Sequence, residues 1–358
     1  MYSIQASPNE EEEIPEPAEI DAKLESPKFM AELPTEHAYQ LEHLLRFDQR
    51  KMTKAQRTAF RAYLDGFNTH YSKMENYLAN EELHCNTKLL DLLFERIVAS
   101  TPNLDGILAC MVILSRHTKE KGPDGGKEPR ITKILDVMRE RVQYVNIIRE
   151  ASRALINYAQ VNAKLINDSG GFDAINGAMN RFASNEQVLS AFLLLFRNLS
   201  VQDCCRKVIV DRFGFIVTNG VSMYHRDSGI PENACYVLGN VALLPELCAY
   251  LANAGVVQSI KNAMDTFQDE ERVQEAASWF LFTATEDEAL VKQISKGSFE
   301  EVIIRAHKKF SAKNANLKMY TEHAMLRIRN AVMASTPTAI ADRYFVCVLF
   351  DFLIELFL

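Results

Sequence analysis

The sequence is poor in glycine and proline, with 14 and 11 of these residues in a chain of 358. Average proteins use roughly 7% glycine and 5% proline. Sheet-rich folds need such residues for their many tight turns, so the shortage argues against β-sandwiches and doubly wound α/β folds. An apolar share of 47% is ordinary and is enough for a large core. The composition therefore predicts an all-α chain.

Three further absences limit which class of protein this can be. The seven cysteines include no CxxC pair, and an odd, scattered set is typical of free thiols in a reducing compartment. No basic stretch followed by an apolar stretch opens the chain, so we expect no secretory signal. No run of about 18 uncharged apolar residues occurs, so we do not expect a membrane partner. We expect a cytoplasmic protein, with the nucleus as an additional location.

The chain also lacks an excess of positive charge, since its net charge is −7. Residues 1–28 hold eight acidic and two basic groups, which leaves the rest of the chain nearly neutral. A nucleic-acid binder needs a basic surface to neutralise phosphates, so we expect no nucleic-acid partner. Residues 1–28 also contain four prolines and few large apolar groups. They cannot bury enough surface to offset their ordering entropy, which predicts a disordered acidic tail.

Residue patterns that carry chemistry are missing as well. The eight histidines form no HExxH motif, and neither GxSxG nor the set of kinase motifs occurs. Cys204 and Cys205 are neighbours, which on a helix point about 100° apart and cannot easily face one metal. We therefore expect no enzyme activity, no catalytic residue, no metal site, no cofactor and no small-molecule substrate.

What the sequence does contain is an internal repeat. Four glycines precede similar apolar segments at steps of 43, 41 and 42 residues, namely Gly171, Gly214, Gly255 and Gly297. A period of this length is typical of helical repeat proteins. Each repeat is predicted to contain a short helix, a glycine turn, a middle helix and a longer third helix.

A second marker keeps the same period near the end of each predicted third helix. Its members are Asn157, Asn198, Asn240 and Thr283, at steps of 41, 42 and 43 residues. Asn330 follows 47 residues later, as if the last repeat had a short insertion. Helix starts agree with this phase, because Ser200 and Thr285 have capping-box spacing and Pro245 suits a first turn.

A three-helix unit of about 42 residues with these two markers resembles the armadillo repeat, the family of β-catenin and importin α. The resemblance covers roughly residues 130–334 and implies an α-solenoid with a right-handed superhelix, in which each repeat contacts mainly its neighbours. We expect residues 29–82 to form a helical N-terminal cap. Residues 83–334 would form about six armadillo-like repeats, the first and last degenerate, and residues 335–358 an apolar C-terminal segment.

In the armadillo family the third helices line a concave groove, and an Asn in each binds the backbone of an extended partner peptide. An amide suits this role because it both donates and accepts. The resemblance implies a partner-binding groove formed by Asn157, Asn198, Tyr236, Asn240, Trp279 and Asn330. An alternative is that these Asn residues satisfy backbone groups between helices, and that Trp279 packs between repeats.

Importin α also carries a Trp four residues before the Asn, which builds pockets for Lys side chains. The corresponding residues here are Arg153, Leu194, Tyr236, Trp279 and Leu326. Only Trp279 fits, and its own repeat has Thr283 instead of Asn. The regular array of the nuclear-transport proteins is therefore broken in this chain.

The sequence thus predicts a non-catalytic adaptor or scaffold that holds an extended or helical segment of another protein. A first alternative is a nuclear-transport-type adaptor for basic peptides. A second alternative is a structural subunit of a cytoskeletal or ciliary complex, which would use the convex face or the apolar C-terminus. Residues 344–358 have three open interpretations: a capping helix, an alternative or truncated terminus, or an anchor for a membrane or partner.

Charge changes sign between the last two repeats. Residues 265–288 carry eight acidic groups against one basic group, and residues 305–329 carry seven basic groups against one acidic group. Ordinary solvated faces would explain this contrast. Alternatively, the acidic tail folds back onto the basic last repeat and competes with partners.

Overall fold

The computed structural model divides the chain into two compact units, residues 1–119 and 120–358. The predicted acidic tail, nearly all of the N-terminal cap and first repeat, and the apolar segment after residue 335 lie outside the residues that the structure describes. Those described residues are 128–182, 184–222 and 228–335, with the isolated positions 53–55, 58, 62 and 111.

The described part of the second unit contains α-helices and no strand. None of these helices is long and apolar enough to span a bilayer. In chain order they are α1 (Glu128–Glu140), α2 (Val145–Asp168), α3 (Gly171–Phe182), α4 (Glu186–Leu199), α5 (Asp203–Ser222), α6 (Gly229–Val241), α7 (Pro245–Asn253), α8 (Val256–Thr266), α9 (Glu271–Ala284), α10 (Glu288–Lys296), α11 (Glu300–Phe310) and α12 (Ala315–Ser335).

The helices form trios that stack one after another. Helices α7, α8 and α9 make one complete trio, and α10, α11 and α12 make the next. The third helices α2, α4, α6, α9 and α12 pack side by side in that order. Middle helices do the same, since α8 packs between α5 and α11, and first helix α7 packs against α10. The predicted all-α solenoid of three-helix repeats is confirmed.

Two helices run through positions where the repeat pattern predicts a break. Helix α2 joins a third helix to the next first helix, and the joint is a kink at Asn162 with φ −122° and ψ 23°. Helix α5 continues through Gly214, where a Cβ would lie 2.3 Å from the Tyr250 hydroxyl. Gly214 therefore makes room for Tyr250 of α7 instead of forming the predicted turn.

The other turns lie within one residue of the glycines that the sequence singles out. Left-handed backbone occurs at Gly170 (φ 72°), Gly255 (φ 70°) and Ser298 (φ 53°). Gly255 is thus a turn glycine as predicted, because glycine adopts positive φ at little cost. Gly171 instead opens α3, and Gly297 keeps an ordinary φ of −82°.

Helix starts follow the predicted phase, but different residues cap them. Asp287 caps α10 by accepting from the N–H groups of Ala289 and Leu290, both at 3.0 Å. The hydroxyl of Thr285 instead donates back to the carbonyl of Leu281 at 2.8 Å, so its predicted capping role is wrong. Pro245 does open α7, as expected for a residue without an N–H to satisfy.

The core of each repeat is continuous with that of its neighbours. Phe172 of α3, Phe196 of α4 and Phe213 of α5 form one ring cluster, with centroids 4.8–6.4 Å apart. All three side chains are buried, and burying one stabilises the fold by roughly 1.5–3 kcal/mol. The cluster joins the core of the repeat that contains α3 and α4 to that of the next repeat, which contains α5.

Candidate functional site

Each third helix has one stripe of accessible side chains at three- and four-residue steps; most positions beside the stripe are buried on α4, α6 and α9, and α12 is more widely exposed. Because these helices pack side by side, the stripes join into one surface, which we call the third-helix face. It contains Arg149, Arg153 and Asn157 of α2; Ser190, Leu194 and Asn198 of α4; Glu232, Tyr236 and Asn240 of α6; Glu275, Trp279 and Phe282 of α9; and Met319, His323 and Leu326 of α12.

Asn198 bridges two repeats on this face. Its Nδ2 donates to the carbonyl of Ile156 at 3.2 Å, which is the residue before the preceding marker, Asn157. Asn198 is half-buried, as is Asn157. The contact gives the carbonyl near the end of the third-helix part of α2 a donor from the next repeat.

Arg327 makes the corresponding contact in the last described repeat. Its Nη1 donates to the carbonyl of Phe282 at 2.8 Å, the residue before Thr283. Helices α9 and α12 begin 44 residues apart, so Arg327 occupies the marker position. The structure places Asn330 three residues further on, at an exposed position. It borders a cavity of about 640 Å³ together with Thr285 and Lys292.

Asn240 is linked to the carbonyl of Arg197, the residue before the marker Asn198, through the side chain of Ser200. Its Nδ2 donates to the Ser200 hydroxyl at 2.9 Å, and that hydroxyl donates to the carbonyl of Arg197 at 2.9 Å. The Oδ1 of Asn240 accepts from the indole N–H of Trp279 at 3.0 Å. One amide therefore connects three successive repeats.

Trp279 lies against the backbone of α6. A Cβ added at Gly239 would be 2.4 Å from the indole Cδ1, so the missing side chain creates the space that the ring occupies. The indole also contacts the rings of Phe282 and Tyr320, both half-buried, whose centroids lie 5.7 and 5.2 Å from that of the indole. Trp279 thus combines packing between repeats with a half-buried position on the third-helix face.

Tyr236 is covered by a cation from its own chain. The guanidinium of Arg197 lies 3.7 Å from the ring centroid, and its Nη1 donates to Glu232 at 2.9 Å. Burial raises the pKa of Tyr236, and the nearby carboxylate of Glu275 raises it further. The phenol stays neutral at physiological pH. One face of its ring is covered by the Arg197 guanidinium.

The charges on the third-helix face differ between α2 and α9. On α2 the buried carboxylate of Glu150 accepts from both Arg149 and Arg153 at 2.9 Å, which leaves one positive charge in excess. On α9 the carboxylates of Glu271 and Glu275 both accept from the amide of Asn314 at 2.9 Å. Neither forms a salt bridge with a Lys or Arg of the described residues.

Acidic residues of the segment 265–288 form ion pairs with basic residues of the segment 305–329, across the boundary between two repeats. Arg305 pairs with Asp265 at 2.7 Å, and Lys309 pairs with Asp269. Arg327 likewise pairs with Glu286. Part of the basic charge of the last repeat thus holds that repeat to the one before it.

Several residues of this site are not identified by the sequence pattern. The pattern predicts that Ser200 caps a helix, and it assigns no role to Gly239. It also places Asn330 at the marker position of the last repeat, so it does not identify Arg327. No group of three His, Cys, Asp or Glu side chains within the described helices is arranged to hold a metal ion.

No protein-family model matches the sequence, and no curated protein matches it either. Solved structures do match. A designed armadillo repeat protein in complex with the peptide (KR)4 is 13% identical, with 67% of this chain and 99% of that chain covered and a TM-score of 0.53. An engineered protein is 17% identical, with coverages of 94% and 91% and a TM-score of 0.59.

A third similar structure comes from work on a phosphorylation switch in the interaction between cadherin and β-catenin. It is 14% identical to this chain, and the match covers 81% of this chain and 53% of that chain with a TM-score of 0.61. At such identities the similarity concerns the fold. The chain has an armadillo-like repeat fold, as its sequence markers indicate.

Proposed function

We propose that the protein is a non-catalytic adaptor or scaffold that holds an extended or helical segment of a partner protein on its third-helix face. The observation that carries this proposal is the continuity of that face over five stacked helices. It offers amides, aromatic rings and charges of both signs in a fixed array. The similar structures described with a peptide or with the cadherin–β-catenin interaction support the same use.

The amides retain capacity for a partner after their contacts between repeats. An Asn side chain has two N–H donors and an oxygen that accepts twice. The bond from Asn198 to Ile156 uses one N–H of Asn198. The contacts of Asn240 use its Oδ1 and one N–H. A partner backbone could therefore pair with one N–H and with the oxygen of either amide, although the Oδ1 of Asn240 has only one acceptor position left.

An affinity capture with the full chain tests this proposal. The variant carries Leu194→Lys on α4 and His323→Asp on α12, because neither side chain takes part in the hydrogen bonds and ion pairs described above between repeats. Its matched control is Phe215→Asp, which changes a side chain on α5 that is 79% exposed. We expect partners of the wild type to be lost with the first variant and kept with the second. Survival of every partner on the first variant would contradict the proposal.

A basic-peptide adaptor is the second candidate, because Glu271 and Glu275 lack a cationic partner among the described residues. A Lys/Arg octapeptide titrated against the full chain tests it, with the fluorescence of Trp279, the chain's single Trp, as the signal. Glu271→Gln with Glu275→Gln should weaken binding about tenfold or more. Glu288→Gln, on α10, is the control. Equal affinity for all three proteins would eliminate this candidate.

The cytoplasmic location, with the nucleus as an additional one, stays a prediction, as does the alternative role in a cytoskeletal or ciliary complex. A fluorescent fusion of the full chain would test both. Exclusive labelling of a membrane-enclosed compartment other than the nucleus would contradict the first. Diffuse labelling without filaments or cilia would contradict the second.

A further inference from the structure

Two free thiols lie side by side in the first turn of α5. The Sγ atoms of Cys204 and Cys205 are 3.9 Å apart, although consecutive positions of a helix point about 100° apart. Cys204 is exposed and Cys205 is buried. The side-chain torsions therefore bring the two sulfur atoms together despite that divergence, which the sequence alone does not predict.

The two sulfur atoms differ in their surroundings. The thiol of Cys205 donates to the carbonyl of Ala163 on α2, with the sulfur 3.6 Å from the oxygen. Burial is the main cause that raises the pKa of Cys205 to about 12, and Cys204 and Asp168 add to it. A reagent from solution therefore meets the exposed sulfur of Cys204 first and that of Cys205 second.

Charge around the pair is nearly balanced. Asp203, the residue before the pair, forms an ion pair at 2.9 Å with Arg206, the residue after it. Lys164 and Lys207 are exposed, and so is Asp168. These five groups together carry one positive charge in excess. The chemistry of the sulfur atoms, and no strong local charge, therefore determines what binds here.

The distance between the sulfur atoms favours one bridging atom over a disulfide. Consecutive Cα atoms are about 3.8 Å apart, whereas disulfides join Cα atoms about 4.4–6.8 Å apart. Two sulfur atoms bound at about 2.3 Å to one tetrahedral centre are about 3.8 Å apart, which is close to the distance between Cys204 and Cys205.

The number of thiols then selects the kind of centre. A structural Zn²⁺ takes four protein ligands, and among the described residues no three His, Cys, Asp or Glu side chains are placed to share a metal ion. A trivalent arsenical with one organic substituent needs only two thiols to complete its bonds. The pair at Cys204 and Cys205 supplies that number.

We propose that Cys204 and Cys205 form a dithiol site that captures a monosubstituted trivalent arsenical, R–As=O. Each sulfur forms one bond to arsenic, and the two thiol protons leave with the oxide oxygen as one water molecule. Arsenic stays trivalent, so the reaction needs no oxidant or reductant. The bond to Cys204 forms first, and Cys205 then closes a ring that a single thiol cannot make.

The test adds phenylarsine oxide to the reduced, folded full chain in the presence of excess glutathione. Glutathione is a monothiol, so it removes arsenic held by one cysteine but not arsenic held by two. Trypsin cleaves after Arg197 and Arg206, which places both thiols on the peptide of residues 198–206. We expect mass spectrometry to find one glutathione-resistant adduct on this peptide, with both of its thiols blocked.

Variants then show whether both sulfur atoms are needed. Cys204→Ser and Cys205→Ser should each weaken capture on this peptide at least about tenfold. Because Cys204 is exposed, its variant keeps the test valid if Cys205→Ser lowers the thermal stability. Cys248→Ser is the matched control. Its thiol is also buried, and it contacts the carbonyls of Ala242 and Leu244 at 3.6 and 3.7 Å, so this change should leave capture unaltered.

Thermal unfolding followed by circular dichroism shows which state of the chain binds. A ligand of the folded state raises the midpoint, so the loaded chain should melt at or above the temperature of the free chain. A lower midpoint would overturn the proposal, since the arsenical would then prefer the unfolded chain. Complete removal of the adduct by glutathione, its survival on Cys204→Ser, or an equal loss with Cys248→Ser would overturn it as well.

Discussion

The indole N–H of Trp279 donates to Oδ1 of Asn240 at 3.0 Å, across the boundary between two repeats. The armadillo resemblance implies that both residues bind a partner. Here each also satisfies the other, and Ser200 completes the connection to a third repeat. The same side chains therefore stabilise the stacking and shape the surface that we propose for binding.

Replacing Trp279 by Phe should lower the free energy of unfolding by about 1–2 kcal/mol. The reason is that a half-buried amide oxygen loses its donor, while an aromatic ring remains against Phe282 and Tyr320. Urea unfolding followed by circular dichroism measures the loss. A double-mutant cycle with Asn240→Ala should give a coupling of about 0.5–1.5 kcal/mol. A coupling near zero would show that the bond contributes nothing to stability.

Gly239→Ala should destabilise the protein by about 1–3 kcal/mol, because the new Cβ would overlap the indole. Gly177→Ala on α3 is the matched control, since nothing lies within 4 Å of its Cβ position. That change should stabilise the helix by roughly 0.5–1 kcal/mol. Thermal unfolding of the two variants should therefore shift in opposite directions. A shift in the same direction would argue against the steric role of Gly239.

Stability should depend on the titration of His307. This side chain is 4% exposed, and its Nδ1 lies 2.8 Å from the Thr321 hydroxyl. Burial lowers the pKa of His307 below 6.5, with Glu322 raising it and Lys318 lowering it by smaller amounts. Its contribution to stability is present above pH 6.5. It is lost as the pH falls from 6.5 towards the folded-state pKa, because the unfolded chain then binds the proton more readily.

Urea unfolding at pH 7.5 and pH 5.5 checks this expectation. The wild type should lose up to about 1.4 kcal/mol per pH unit below 6.5, and His307→Gln should show a weaker dependence over this range. His323→Gln, at an exposed site on α12, should follow the wild type. Identical slopes for His307→Gln and the wild type would refute the assignment.

Arg327→Gln should loosen the last described repeat. The change removes the ion pair with Glu286 and the charged donor to the Phe282 carbonyl. Both contacts are partly exposed, so we expect a loss of about 1 kcal/mol, together with faster hydrogen exchange in α12. Arg272→Gln, on the exposed surface of α9, should change stability by less than about 0.5 kcal/mol. Unchanged exchange in α12 would contradict the role of Arg327.

The architecture could be predicted because its signals are local. A shortage of turn residues and two markers in phase indicate stacked helices without any knowledge of contacts. Caps are harder to assign, since Thr285 and Asp287 both lie within the same short turn and both can cap a helix. Only the backbone path shows that Asp287 points at the free N–H groups of α10.

The candidate site could be predicted as a set of helices, but less well as a set of side chains. Asn198, Asn240 and Trp279 lie on the third-helix face, and their role in binding a partner stays a prediction. Asn330 does not occupy the marker position, because α12 begins 44 residues after α9 and Arg327 fills the place. The sequence alone gives no reason to place the last marker 44 residues after Thr283, at Arg327, instead of 47 residues after it, at Asn330.

The sequence by itself determined the period, the helical class and the segregation of charge. These follow from spacing along the chain, which helix geometry converts directly into faces. Tertiary structure decided which side chains meet across repeats. The bonds of Asn198, Asn240, Trp279 and Arg327 join residues about 40 positions apart. Their geometry depends on how closely the third helices pack and on gaps such as that at Gly239, which only the assembled repeats define.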